Sequence, residues 1–159
     1  MDLKAVDLSE QALQGIGLVL TPRRRQAVSA DAEFDYAQTN ESLELEAPLS
    51  SGSLECSPRP MRLSRMERHL KTRELLVALD GDATICIAPP QEAAGGALHG
   101  LTAVTMRAGD AIILERGAWH WIPYPSGGRP VRFLVVFRAA TGQDDLHYCD
   151  LAEKRALIV

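Results

Sequence analysis

The chain has 159 residues, a net charge of -4 and 46% hydrophobic residues, which suits one domain with one hydrophobic core. No apolar run approaches the ~20 residues that a membrane-spanning helix needs, and the acidic balance disfavours a nucleic-acid partner. Three cysteines without close spacing, Cys56, Cys86 and Cys149, and an N-terminus that does not resemble a secretory signal, favour a reducing compartment. The sequence therefore predicts a cytoplasmic protein that binds neither membrane nor nucleic acid.

The first part of the chain predicts short strands and one helical turn. Strands are expected over residues 3–8 and 17–20, and Ser9 should cap a helical turn over residues 10–14. The basic run at 23–25 predicts a solvated loop, with a salt-bridged or oligomer-contact role as the alternative. Between residues 26 and 42, only 33–36 suggest ordered structure.

The rest of the chain shows strand patterns separated by turns. Alternation over residues 43–46 and 53–56 predicts a hairpin, and a long strand is expected over residues 61–70. The loop at 89–100 places His99 on the surface. Further strands are predicted over residues 75–79, 83–87 (the returning strand after the turn at 80–82), 101–106, 111–114, 119–122 and 131–137. This spacing predicts an all-β, antiparallel sandwich or barrel with a few short helical turns.

Ionisable residues recur along the long strand and beyond it. Glu67 and His69 are two residues apart, so a strand places both side chains on one face, together with Leu63 and Arg65. Glu74 follows five residues after His69, and Gly81 seven residues after Glu74. This pattern resembles a degenerate first cupin motif.

A second pattern follows: Gly109, then Glu115, Gly117 and His120. It resembles the second cupin motif, with Glu115 in place of the motif proline and Tyr124 in place of its final asparagine. Within the cupins, the chain is similar to the ureidoglycolate lyases in its Glu-Arg-His triplet at 67–69, its Trp-His pair at 119–120 and its Cys-Asp-Leu at 149–151. The similarity runs nearly end to end from Leu8.

The resemblance implies a single-domain cupin jelly roll over residues 1–159. Residues 1–60 would supply N-terminal strands and a short helix, residues 61–138 the core with both motifs, and residues 139–159 a C-terminal segment. The barrel would bring Glu67, His69, Glu74 and His120 into one pocket. Two imidazoles with carboxylates suit a divalent metal such as Zn, Mn, Fe or Ni, and a hydrogen-bonded polar cluster without metal is the alternative. Relatives often carry Gln where this chain has Glu74.

The resemblance also implies a reaction, the elimination of urea from ureidoglycolate to leave glyoxylate, as in allantoin and purine catabolism. It needs a base at the C2 hydroxyl and an acid for the leaving urea. His120 is the expected base, kept neutral by the bulk of two tryptophans, and Glu67 or Glu74 the expected acid, with a pKa raised by burial. His69 would orient the substrate or bind metal.

The substrate would be a small anion, so we expect basic and aromatic side chains around it. Arg68 and Arg132 are candidates for its carboxylate, with Arg129 as a further one. Trp119 could be a substrate platform or part of the barrel wall, and Tyr124 is a further candidate contact. His147 is expected on the surface or at a subunit contact.

Two departures leave other functions open. Relatives usually carry an Asp-Arg pair where this chain has Phe137 and Arg138, and some carry His where it has Trp121. A non-catalytic cupin that binds a small carboxylate or sugar acid, or another metal-dependent cupin enzyme, are the alternatives. Apolar strands at 111–114 and 131–137 predict a homodimer.

Overall fold

A computed structural model describes residues 2–21, 29–30, 35–36 and 43–159. The basic run at 23–25 and residues 33–34 lie outside this part of the chain. The elements are β1 (Leu3–Asp7), β2 (Gly17–Val19), β3 (Ser29–Ala30), β4 (Asp35–Tyr36), β5 (Leu49–Cys56), β6 (Arg62–Arg68), β7 (Glu74–Ala78), β8 (Ala83–Ala88), a 3-10 turn (Ala94–Gly96), β9 (Thr102–Met106), β10 (Ala111–Leu114), β11 (Trp119–His120), β12 (Tyr124–Pro125), β13 (Val131–Arg138), α1 (Thr141–Asp144) and β14 (His147–Ile158). The all-β prediction is confirmed.

Six strands close into a barrel. Their order is β11, β6, β14, β1, β9 and β8, and β8 also pairs with β11 to complete the ring. Most pairs are antiparallel, but β1 runs parallel to both β14 and β9. The barrel is therefore mixed, and the expectation of a purely antiparallel one is wrong in this respect.

The interior of this ring holds one of two hydrophobic cores, here called the barrel core. All six ring strands contribute side chains that contact one another, so these side chains point inward. Its buried members are Leu63, Met66, Cys86, Ala88, Ala103, Trp119, Tyr124 and Leu157. Burying each large apolar side chain stabilises the fold by about 1.5–3 kcal/mol.

The second core, here called the sandwich core, lies between the ring and a second sheet. That sheet has the order β2, β10, β7, β13 and β5. It packs on the outer face of β8 and β9, where Ile85 and Val104 meet Leu76 and Phe133. Alternate residues of β8 thus belong to different cores, and all six of its residues are buried.

Several connections differ from the sequence expectation. Strands β7 and β8 do not form a hairpin, because β7 belongs to the five-stranded sheet and β8 to the ring. Their turn contains Gly81, where a Cβ atom would come within 2.8 Å of Val131 Cγ2. Residues 43–46 form no strand, and β5 pairs with β13 instead. The longest strand, β14, was not predicted.

The alternation of β6 is interrupted near its start. Its pairing with β14 shifts between Asp150 and Arg155, as at a β-bulge. Leu63 and Met66 therefore both reach the barrel core, and Glu67, next to Met66, points the other way. The prediction that Leu63 and Glu67 share a face is wrong.

The N-terminal turn agrees with its sequence signal. Ser9 Oγ accepts the amide N–H of Ala12 at 3.2 Å, and successive turns continue to residue 16. Among the described residues, no helix has the length and apolar character needed to cross a membrane.

Candidate active site

Four ionisable side chains converge at one end of the gap between the ring and the five-stranded sheet. Glu67 and His120 face each other across the pairing of β6 and β11. Their chain neighbours Met66 and Trp119 lie in the barrel core, so Glu67 and His120 project from the opposite face. Glu74 begins β7 in the facing sheet. The two sheets therefore supply the cluster from both sides.

The distances place all four residues in contact. His120 Nε2 lies 2.9 Å from Glu74 Oε2 and 3.8 Å from Glu67 Oε1. His69 Nε2 lies 3.4 Å from Glu74 Oε2. The two imidazole rings are 5.1 Å apart between centroids. The ionisable residues of the two sequence motifs thus form one cluster.

Both imidazoles are oriented by main-chain carbonyls. His69 Nδ1 lies 2.8 Å from the carbonyl oxygen of Asp145, and His120 Nδ1 lies 3.1 Å from that of Ala118. A carbonyl oxygen can only accept a hydrogen bond, so each Nδ1 must carry the proton. The Nε2 atoms are consequently the ones that face the cluster.

Burial and charge determine the protonation of the central pair. Burial disfavours the charged form of His120, but the Glu74 carboxylate more than offsets this and the pKa of His120 rises to about 9. Burial likewise favours neutral Glu74, but the nearby His120 and His69 rings lower its pKa to about 2. The pKa directions of His120 and Glu74 are therefore opposite to those expected from burial alone.

Two atoms at the centre lack hydrogen-bond partners. Glu74 Oε2 and His120 Nε2 are buried 2.9 Å apart, and neither has a further hydrogen-bond partner. Buried polar atoms without partners are uncommon and point to a missing ligand. Glu67, His69 and His120 each offer a ligand atom, all within 4.8 Å of one another. Two histidines with a carboxylate fit a divalent transition metal.

Arg68 and Trp119, predicted as substrate contacts, lie on the other face of their strands. The Arg68 guanidinium stacks 4.7 Å from the Trp119 ring and bonds the Glu92 carboxylate and the Gln91 carbonyl. The Trp119 indole N–H donates to the same carbonyl at 3.0 Å. Both side chains stabilise the barrel side of the molecule and point away from the cluster.

Tyr124 and Arg132 also lie apart from the cluster. Tyr124 is buried in the barrel core, and its hydroxyl donates to the Arg62 carbonyl at 2.9 Å. Arg132 pairs with Asp80 at 2.7 Å, beyond the end of β7 opposite to Glu74. Arg129 bonds the carbonyl of the same Asp80.

The residues around the cluster include several that the motifs did not indicate. Phe137 places its ring 6.0 Å from that of His69. Tyr148 faces Glu67 across β14 and β6, and burial together with the Glu67 carboxylate raises its pKa. His147 is partly exposed, 3.4 Å from Asp145 Oδ1. The pairing of β14 with β6 brings Tyr148 and His147 here, and the pairing of β13 with β7 brings Phe137.

The fold and the site together define a closed, mixed β-barrel with a histidine and carboxylate centre. The model of the family described as ureidoglycolate lyase matches residues 1–157. The chain belongs to the ureidoglycolate lyase family.

Among solved structures, the matches include oxalate decarboxylases. The Lactobacillus farciminis oxalate decarboxylase formate complex is 22% identical over 56% of this chain and 23% of its own, with a TM-score of 0.43. Bacillus subtilis oxalate decarboxylase at pH 4.6 is 17% identical over 68% of this chain and 23% of its own, with a TM-score of 0.43. The chain thus spans about a quarter of the length of these proteins. No curated protein matches the sequence significantly.

Proposed function

We propose that the protein is a ureidoglycolate lyase, which releases urea and glyoxylate from ureidoglycolate at the cluster of Glu67, His69, Glu74 and His120. The family match over residues 1–157 supports the reaction. The observation that carries the site assignment is the meeting of two Nε2 atoms and two carboxylates at one buried point. The cluster contains groups that can move protons and bind a cation, as this elimination requires.

The cluster also fits a divalent metal. His69 and His120 would hold it with Glu74, because Glu74 Oε2 lies 3.4 Å and 2.9 Å from their Nε2 atoms and their Nδ1 atoms are taken by carbonyls. A bound divalent ion would act as a Lewis acid toward the oxygen atoms of the substrate. The unpartnered atoms of Glu74 and His120 support this assignment.

Glu67 is the proposed proton carrier. Its side chain is 18% exposed, against 5–9% for the other three, so it borders the open side of the cluster. It would accept the proton of the C2 hydroxyl as the C=O bond of glyoxylate forms. As the C–N bond breaks, it would return that proton to the leaving urea nitrogen, so that no proton is gained or lost.

Arg65 is the proposed binding group for the substrate carboxylate. It lies two residues before Glu67 in a regular stretch of β6 and therefore shares its face. Its guanidinium is bonded to Asp150 at 2.7 Å and lies 5.7 Å from the Tyr148 ring centroid. The guanidinium fork matches a carboxylate, and a substrate could replace the exposed Asp150 as its partner.

The test is glyoxylate release from ureidoglycolate by the purified protein, with metal content measured in parallel. We expect turnover in the parent, a loss of about 10²–10⁴-fold in Glu67→Gln, and no change in Glu153→Gln, a carboxylate that is paired on the surface. Full turnover in Glu67→Gln would show that a different residue carries the proton. No turnover in the metal-loaded parent would favour a binding cupin.

Two further proposals concern the state of the protein in the cell. We expect it to act in the cytoplasm, where Cys56, Cys86 and Cys149, all free thiols, would remain reduced. We also expect a homodimer through the outer face of the five-stranded sheet, where Leu79 and Leu134 are exposed. Light scattering should give a dimer for the parent and a monomer for Leu134→Glu. A monomeric parent at high micromolar concentration would contradict the dimer.

A further inference from the structure

A buried aspartate outside the four-residue cluster contacts the segment that carries His69. Asp145 follows α1, and its side chain has 0% exposure. One of its carboxylate oxygens accepts the amide N–H of Leu70 and the other accepts that of Lys71, each at 2.8 Å. Its main-chain carbonyl lies 2.8 Å from His69 Nδ1. One residue therefore holds both the ring of His69 and the two peptide groups after it.

We propose that Asp145 is a positioning residue for His69. Its carbonyl fixes the proton of the imidazole on Nδ1, because a carbonyl oxygen can only accept a hydrogen bond. This leaves Nε2 as the atom directed at Glu74, 3.4 Å away. Partners of this kind set the tautomer and ring direction of histidines that bind metals or substrates. The role of His69 in catalysis or metal binding rests on the proposed function, whereas its contact with Asp145 does not.

The Asp145 side chain matters because it determines where its own carbonyl lies. Two charge-assisted hydrogen bonds join the end of α1 to the turn after β6, and such bonds are stronger than neutral ones. The turn is held from another side as well, since the amide of Gly117 donates to the His69 carbonyl at 2.6 Å. Gly117 has φ 78°, a conformation that favours glycine. The position of His69 is therefore fixed from two directions.

The direct test is the tautomer of His69, measured by long-range ¹H–¹⁵N NMR on protein with labelled histidine and without added metal. His69→Gln identifies the signal. In the parent we expect Nδ1 to carry a proton that is hydrogen-bonded to the Asp145 carbonyl. An unprotonated Nδ1 in the folded parent would overturn the proposal without recourse to any Asp145 variant.

The second test compares Asp145→Asn with Thr141→Val. The asparagine keeps the size but meets one of the two amides with an NH₂ group, so it cannot accept both. Thr141→Val is the matched control, because it removes a buried hydrogen bond from the same helix, the one to the Arg138 carbonyl at 2.6 Å, and does not touch His69. Thermal unfolding of both variants measures their general loss of stability.

We expect Asp145→Asn to mix the two tautomers of His69 and to weaken Zn²⁺ binding by about 10–100-fold, whereas Thr141→Val changes neither. An unchanged tautomer and affinity in folded Asp145→Asn would overturn the proposal. Equal changes in both variants would also overturn it, because Asp145 would then act only through the stability of α1. Neither readout requires turnover, so failure of the lyase assignment is recognised separately by the glyoxylate assay.

Discussion

The two faces of β6 and β11 differ in how they use their polar side chains. On the barrel face, the terminal nitrogens of Arg68 and the indole of Trp119 find partners in the neighbouring loop. On the face toward the five-stranded sheet, two imidazole Nε2 atoms and two carboxylates meet at one buried point. Residues adjacent in sequence thus differ in kind, one face being structural and the other able to accept a ligand.

His120→Asn should have the largest effect. It removes an Nε2 atom that faces the cluster, and we expect bound metal and turnover to be lost together, the latter by about 10²–10⁴-fold. Elemental analysis and the glyoxylate assay measure the two. If metal is retained while turnover falls, His120 acts as a proton donor or acceptor and not as a ligand. If only stability falls, it is a core histidine and the contrast between the faces disappears.

The pH dependence of the free energy of unfolding tests the pairing of His120 with Glu74 in the absence of substrate. In chelator-treated protein, His120 has its pKa raised from 6.5 to about 9. The stabilisation of the folded state by protonated His120 is therefore complete below pH 6.5 and is lost as pH rises through 9. The free energy of unfolding should change by an amount on the order of 3 kcal/mol.

Denaturant unfolding of the chelator-treated protein between those pH values measures this loss. Glu74→Gln should remove most of the slope, because Glu74 is the largest source of the raised pKa. His99→Gln, which alters an exposed loop histidine, should leave the slope unchanged. A parent that is equally stable at both ends of the range would contradict the ion pair.

Arg65→Gln should have an intermediate effect on substrate binding. Loss of a charged hydrogen bond costs about 1.5–3 kcal/mol, so we expect KM to rise by about 10–100-fold with little change in kcat. Arg62→Gln, which changes an exposed arginine of the same strand, is the matched control. Equal KM values in both variants and the parent would exclude Arg65 as the carboxylate-binding group.

Arg68→Met should have the smallest effect, and on stability alone. It removes the cation stacked on Trp119 and the bonds to Gln91 and Glu92, with an expected cost of about 1 kcal/mol. Turnover per folded molecule should be unchanged. A marked rise in KM would return Arg68 to the substrate site that the sequence suggested and would make the barrel face functional too.

The candidate cluster was predictable because its signal is local. Glu67 and His69 are related by the two-residue period of a strand, and His120 follows Gly117 at the spacing of the second cupin motif. The substrate contacts were not predictable in this way. Arg68 is adjacent to Glu67 in sequence, yet the same alternation directs it to the opposite face.

The pKa directions and the role of Asp145 required the folded chain. Glu74 controls His120 across two sheets, and Asp145 reaches His69 from 76 residues away. The sequence also missed β14, which brings Tyr148 beside Glu67, because its polar residues hide the strand pattern.

By itself, then, the sequence determined the all-β class, the family and the four ionisable residues of the cluster, because these depend on short periods and fixed motif spacings. Tertiary structure alone decided the parallel pairing of β1, the face on which each arginine lies, the protonation of His120 and Glu74, and the contact of Asp145 with His69. These features depend on distances between segments far apart in the chain and on the loss of water around charges. Both arise only when the two sheets pack together.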